Sequence, residues 1–220
     1  MSHLVFVPAY DEPTRSNLAI AREVVGAADM VLFGDHATPQ GLHQHLASYP
    51  ELPLFAMSHG WHDRLFAQGG AVALDCDDAV LLTGRRCFVF ACHTAARLGG
   101  AVRDEGGIWW GYAGAIQSPP DHPALLPLFA ALFRFIKQGF AAAVSREERM
   151  EFLEELCARC QAAAGQLQDL LDRGEILPDA EAMAAMHCLL HIWNRLETRG
   201  RPLNGGLRHP QAPCGKPAIL

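Results

Sequence analysis

The chain reads as an α/β protein: a mostly parallel central sheet flanked by helices, with a helical region after it. Three observations predict this. Short, nearly continuous apolar runs recur at residues 4–10, 29–35, 52–58, 86–92 and 106–116, separated by stretches of helical periodicity. Strands that are apolar on both sides belong to sheets covered on both faces, the usual setting of parallel strands. Half of the 220 residues are hydrophobic and 19% are charged, a composition that supports a large core. After Ser118-Pro119-Pro120 the strand-like runs stop and helical patterns take over. The expected organisation is an α/β core over 1–120, a helical region packed on or extending it over 121–200, and a Pro/Gly-rich tail over 201–220.

The elements follow in order. LVFVPAY (4–10) is a first strand, and TRSNLAIAREVVGAA (14–28) a helix with Thr14 or Ser16 as N-cap candidates. DMVLFGD (29–35) is a second strand. Thr38-Pro39 opens a helix to about His45, with Thr38 as cap and Pro39 in the first turn. LPLFAMS (52–58) is a third strand. AVALDCDDAVLLTG (71–84) fits either a strand pair or a strand with one helical turn. RCFVFAC (86–92) is a fourth strand, HTAARLGG (93–100) starts a helix, and GGIWWGYAGAI (106–116) is another strand, rich in aromatic and β-branched residues. Residues 122–144, 146–173 and 178–200 are helical, the last opened by Pro178-Asp179 and closed by Gly200. The tail holds too much Pro and Gly for a long helix or a central strand, so it is disordered or laid across the body.

A net charge of -6 argues against nucleic-acid or anionic-membrane partners. No run reaches the roughly 18 apolar residues of a membrane span, and the N-terminus lacks the pattern of a signal peptide. Seven irregularly spaced cysteines are expected to be reduced thiols in a cytoplasmic protein.

In parallel sheets reactive groups gather beyond the carboxyl ends of the strands. Two such ends carry chemistry. FAMSHG (55–60) delivers His59 and Gly60, and FVFACHT (88–94) delivers Cys92. A histidine beside a thiol can take its proton, and the thiolate is a nucleophile. The oxyanion formed by attack on a carbonyl needs backbone N–H donors. Gly60, lacking a Cβ, lets one such donor come close, and the Cys92 amide is the second. A helix starting just after Cys92 would favour the thiolate through its dipole. The competing readings are bland: Cys87, at its strand start, is a small buried residue, and of the alternative bases His93 directly follows the cysteine and points elsewhere, while His62 lies past the glycine. Trp109, Trp110 and Tyr112 are either core aromatics or a substrate-binding strand. Alternation sends Trp109 and Trp110 to opposite faces, so at most one lines a pocket.

The pair of strands ending in His-Gly and Ala-Cys resembles the caspase-like cysteine peptidases, and ACHTAARLG looks most like their CHAT branch. The resemblance covers about residues 1–118. It implies a three-layer caspase-like fold and a cysteine endopeptidase that cleaves one specific protein, with His59 and Cys92 as the dyad and the Gly60 and Cys92 amides as oxyanion hole. It also implies a protein substrate, in some relatives a pore-forming effector in bacterial defence or cell death, and an activating partner or homo-oligomer. Members that prefer basic residues carry an acid two positions before the cysteine. Here that position is Phe90, so pocket charge is left to Asp35 or to the acidic cluster Asp75, Asp77 and Asp78, with Trp110 as the aromatic candidate for substrate binding.

No cofactor is required by this chemistry. A second constellation, Cys157-x-x-Cys160 with His187-x-x-x-His191, puts each pair on one helix face and would suit a structural zinc if the two helices form a hairpin. Its alternative is two amphipathic faces. Two other functions compete with the peptidase. One is a catalytically silent interaction module, which has no need of both His59 and Cys92. The other is a thiol amidohydrolase or acyl transferase on a small substrate; a glutamine amidotransferase of this kind would usually have a Gly-x-Cys-x-Gly elbow with the histidine after it, whereas here the elbow is Phe-Ala-Cys-His-Thr and the histidine comes first.

Overall fold

A computed structural model describes residues 1–201 and 205–213. Six strands form one sheet: β1 (Leu4–Val7), β2 (Met30–Phe33), β3 (Leu54–Met57), β7 (Arg86–Phe90), β8 (Ile108–Tyr112) and β9 (Leu196–Arg199), in the order β2-β1-β3-β7-β8-β9. All neighbours are parallel except β9, which runs antiparallel to β8. The continuous apolar runs have the expected cause. Val5, Val7, Phe55, Met57, Phe88, Phe90, Trp110 and Tyr112 face one side, while Leu4, Phe6, Leu54, Ala56, Cys87, Val89 and Trp109 face the other. The first face is covered by α1 (Glu12–Val24), α4 (Leu126–Gly139), α5 (Arg146–Asp172) and α6 (Ala180–Asn194). The second is covered by α2 (Pro39–Ser48), α3 (Leu98–Asp104) and a small antiparallel sheet of β4 (Gly60–Trp61), β5 (Arg64–Phe66) and β6 (Val72–Asp75). The result is an α/β fold of three layers.

Several boundaries differ from the sequence reading. The α1 cap is Asp11, not Thr14 or Ser16: Asp11 accepts the Thr14 N–H at 3.0 Å, and the Thr14 hydroxyl reaches back to the Asp11 N–H at 3.1 Å, a reciprocal capping box. Thr38 caps α2 as expected, accepting from Gly41 at 3.0 Å. The ambiguous stretch 71–84 is β6 followed by a 3-10 helix, Asp77–Leu82. The last predicted helix ends at Asn194, and the chain then enters β9 to complete the sheet. No helix starts at residue 93; turns occupy the segment after Cys92, and α3 begins only at Leu98.

Of the tail, residues 205–213 lie across the body. Leu207 pairs with Thr198 through two 2.9 Å backbone bonds, and Arg208 grips the buried Glu197 carboxylate at 2.7 Å. Residues 202–204 and 214–220 of the predicted tail, Cys214 among them, fall outside the described residues. No helix is long and apolar enough to cross a membrane among the described residues.

Candidate functional site

The pairing of β3 with β7 decides the site. Met57 lies opposite Phe90, and the Ser58 N–H bonds the Phe90 carbonyl at 3.1 Å, so the two strands release their chains side by side. The next residues are in backbone contact. A Cβ on Gly60 would sit 2.7 Å from the Cys92 carbonyl oxygen, 2.9 Å from the Ala91 Cβ and 2.5 Å from the Thr94 methyl, so no side chain fits there. His59-Gly60 and Cys92 are therefore brought together, as the sequence predicts.

Both candidate oxyanion donors are available. The Phe66 N–H bonds the His59 carbonyl at 3.1 Å, which makes Gly60 and Leu65 a non-hydrogen-bonded pair of the β4–β5 ladder and turns the Gly60 N–H away from β5. The Cys92 N–H reaches no backbone acceptor among the described residues. His93, with φ at 62°, holds the left-handed turn just after the cysteine; this conformation costs a β-carbon-bearing residue ~1–2 kcal/mol. Its own N–H is taken by the Gly114 carbonyl at 3.0 Å.

One member of the site escaped sequence reasoning. The His59 Nε2 sits 2.7 Å from Asp11 Oδ2, and both side chains are 39% exposed. Asp11 is itself fixed, because its other oxygen takes the Thr14 N–H at 3.0 Å and hydroxyl at 2.7 Å. Desolvation pushes the Asp11 carboxyl up, but the hydrogen bonds from Thr14 and His59 outweigh it and hold the group below the ordinary carboxylate range. An ionised carboxylate only accepts, so His59 Nε2 donates to it and Nδ1 is the nitrogen left to serve as a base. The available signal was Asp11-Glu12-Pro13-Thr14, a helix-start pattern directly after β1.

The thiol faces the β8 side. Cys92 Sγ accepts the Ile116 N–H at 3.3 Å and lies 3.7 Å from the Ile116 carbonyl oxygen. No hydrogen bond joins it to His59 among the described residues. The segment that carries Ile116 is anchored at several points. The Gln117 N–H donates to His191 Nδ1 at 3.0 Å, the Arg195 guanidinium donates to the Ala115 carbonyl, and the Ser16 hydroxyl donates to the Pro119 carbonyl at 2.6 Å.

The remaining predicted residues have partners of their own. Asp35 lies in a 3-10 turn after β2 and accepts the Gln68 side-chain amide at 3.1 Å, while Gln68 accepts the Ala9 N–H at 2.7 Å. Asp75 ends β6 opposite Arg64, and its carboxylate accepts the Asp77 N–H at 2.9 Å. Trp110 has no accessible surface and sets its ring against the edge of Phe152 at 5.0 Å, which corrects its expected role as a substrate-binding residue. Trp109 is equally buried, on the opposite face. The absence of a helix start at residue 93 also removes the expected dipole effect on Cys92.

The four zinc candidates do not converge. Cys157 and Cys160 are buried, Cys160 beside Cys188, and desolvation pushes their thiols up. His187 is exposed, and His191 turns to Gln117. No three His, Cys, Asp or Glu side chains gather to hold a metal among the described residues.

Desolvation comes first in depressing three histidines. His3 is lowered further by Lys137, His93 by His62 and Arg195, and His191 falls to about 4 with help from Arg195 and His187. Such groups stay neutral in the fold and take up a proton on unfolding. Their stabilisation is full above about pH 6.5 and is lost as pH falls towards 4. Asp11 and Asp29, with carboxyls held low, stay ionised through that window. The urea midpoint is therefore expected to fall between about pH 7.5 and 4.5. His191→Asn keeps an acceptor for Gln117 and removes the titration, so its midpoint falls less; parallel curves would refute the assignment.

Two clefts lie elsewhere. One of about 140 Å³ runs between α1 and residues 120–126, and one of about 340 Å³ sits at the amino ends of the strands near Pro50 and Arg86; neither includes His59 or Cys92. Comparison of the chain with family models, curated proteins and solved structures returned no match.

Proposed function

We propose that this chain is a caspase-like cysteine endopeptidase that cleaves a protein substrate through an acyl-enzyme. The observation that carries the reading is the backbone contact of Gly60 with Cys92, beside a histidine whose Nε2 is held by a carboxylate. In the mechanism, His59 Nδ1 takes the thiol proton and Cys92 Sγ attacks the scissile carbonyl. The Gly60 and Cys92 amides hold the oxyanion. His59 returns the proton to the leaving amine, and water, deprotonated by His59, releases the acid. Productive attack requires Sγ to turn from Ile116 towards His59. The order β2-β1-β3-β7-β8-β9, with both reactive residues at carboxyl strand ends, supports the same reading. So does the exposure of His59 and Asp11: an extended peptide needs an open surface, whereas a small-substrate thiol enzyme needs an enclosing pocket. A silent interaction module would have no use for a carboxylate that orients the histidine.

The test is intact-mass labelling with electrophilic peptide probes that vary at the residue before the warhead. Single labelling that is lost in His59→Ala and Cys92→Ala supports the dyad. Labelling spread over several cysteines, or indifferent to His59, overturns it. Asp11→Asn keeps a good helix cap, so the fold persists. Its amide can present N–H to Nε2 and favour the wrong tautomer. The labelling rate is expected to drop by at least about tenfold, bounded by the ~10⁴-fold seen when a triad aspartate is lost. An unchanged rate would remove Asp11 from the machinery.

A further inference from the structure

Three rings crowd the surface beside the proposed dyad. Trp61 follows the oxyanion glycine, His62 follows Trp61, and His93 follows the nucleophile. Their ring centroids are 5.1 Å apart for Trp61–His62, 5.4 Å for Trp61–His93 and 4.8 Å for His62–His93. The cluster is built, because the His62 carbonyl accepts the Arg97 and Leu98 N–H groups at 3.2 and 3.1 Å and pins the hairpin to the turn after Cys92. It is also open: Trp61 is 54% exposed, although an indole is costly to leave in water.

Topology puts these rings on one flank of the proposed nucleophile. β7 lies between β3 and β8, so Cys92 is flanked by the β4–β5 hairpin on one side and by residues 113–118 on the other. A chain whose carbonyl sits between the Gly60 and Cys92 amides must pass over both flanks. Residues 113–118 present a backbone already tied to His93, Arg195, His191 and Cys92 Sγ. The hairpin offers ring faces and edges.

We infer that Trp61, His62 and His93 form a subsite for an aromatic side chain on the leaving-group side of the scissile bond. This rests on the peptidase reading and adds its substrate class: peptides with Phe, Tyr or Trp immediately after the cleaved bond. Offset and edge-to-face ring contacts supply the preference.

The test uses the full chain and pairs of peptides identical except for Tyr or Gly after the scissile bond, read as the ratio of their kcat/KM values. The wild type is expected to favour Tyr by about two- to tenfold, the range of one added aromatic pair. Trp61→Ala, a surface change, is expected to bring the ratio near one, and His62→Ala to lower it. Val80→Ala, at an exposed apolar residue outside the cluster, is expected to preserve it. Equal rates in the wild type, or a ratio that survives Trp61→Ala, overturns the subsite while leaving the peptidase standing. A preference for Asp or Glu that depends on His62 and not on Trp61 likewise overturns it. No cleavage of either peptide, together with no labelling of Cys92, overturns the peptidase reading and the subsite with it.

Discussion

Cys92→Ala is expected to reduce peptide hydrolysis by about 10⁴-fold or more, the order of loss when a catalytic nucleophile is removed, while unfolding at nearly the wild-type denaturant midpoint. The fold tolerates the change because the Cys92 side chain is only half-buried and its sulfur bonds only the Ile116 peptide among the described residues. No other described thiol substitutes for it. Desolvation pushes Cys76, Cys157, Cys160 and Cys188 up, and Cys87 to about 12. A thiol so raised carries almost no thiolate at neutral pH. Cys87→Ala is therefore the informative control. It trims a core residue, with a stability loss of ~1 kcal/mol, and leaves turnover largely intact. Steady-state hydrolysis with urea titrations of both variants decides the matter. Activity that survives Cys92→Ala would sink the mechanism.

The sheet was legible because burial on both faces leaves a continuous apolar run in β1, β3, β7 and β8; β2, at the sheet edge, lies in an apolar run although its Val31 is exposed. What lacked such a run was missed. β4 and β5 have two and three residues and hold Trp61 and Arg64, too short and too polar to show a period. β9 reads Leu-Glu-Thr-Arg, and its Glu197 can be buried only because Arg199 and Arg208 meet its carboxylate. The Arg208 half of that pairing depends on the tail folding back, which no local pattern announces. Alternation correctly placed Trp109 and Trp110 on opposite faces, but both faces are covered, so neither reaches a substrate. For the site, strand ends located His59, Gly60 and Cys92. Asp11 needed a topological fact: β1 lies beside β3, so the residue that caps α1 also reaches the histidine. The zinc candidates turn on a similar step. Helical spacing puts Cys157 with Cys160 and His187 with His191, but does not say that the first pair faces the core while His187 faces water.

A second large effect is expected far from the thiol. Arg149 on α5 is fully buried, with no carboxylate partner among the described residues. Its guanidinium donates to the Val144 carbonyl at 2.9 and 2.6 Å, to the Gly200 carbonyl at 3.2 Å and to the Arg201 carbonyl at 2.9 Å. Desolvation lowers its pKa, so the charge is held at a cost that only these bonds offset. Arg149→Met fills a similar volume but strands three carbonyl oxygens, each worth ~1–3 kcal/mol when left without a donor. Relief of the buried charge returns part of this. The net loss is expected to be about 2–4 kcal/mol, seen as a urea midpoint lower by about 1–2 M. Arg149→Lys should fall between, since an ammonium keeps the charge but lacks the planar fork that reaches three acceptors at once. An unchanged midpoint in Arg149→Met would mean that water already serves those carbonyls. The loss should also reach the backbone beside Cys92. Gly200 and Arg201 end the segment that begins as β9, Leu196 of that strand pairs with Tyr112, and Arg195 just before it holds the Ala115 carbonyl in the segment over Cys92. Loosening β9 at its far end therefore loosens the backbone that faces the thiol, so Arg149→Met should slow Cys92 labelling at urea concentrations below its own unfolding transition.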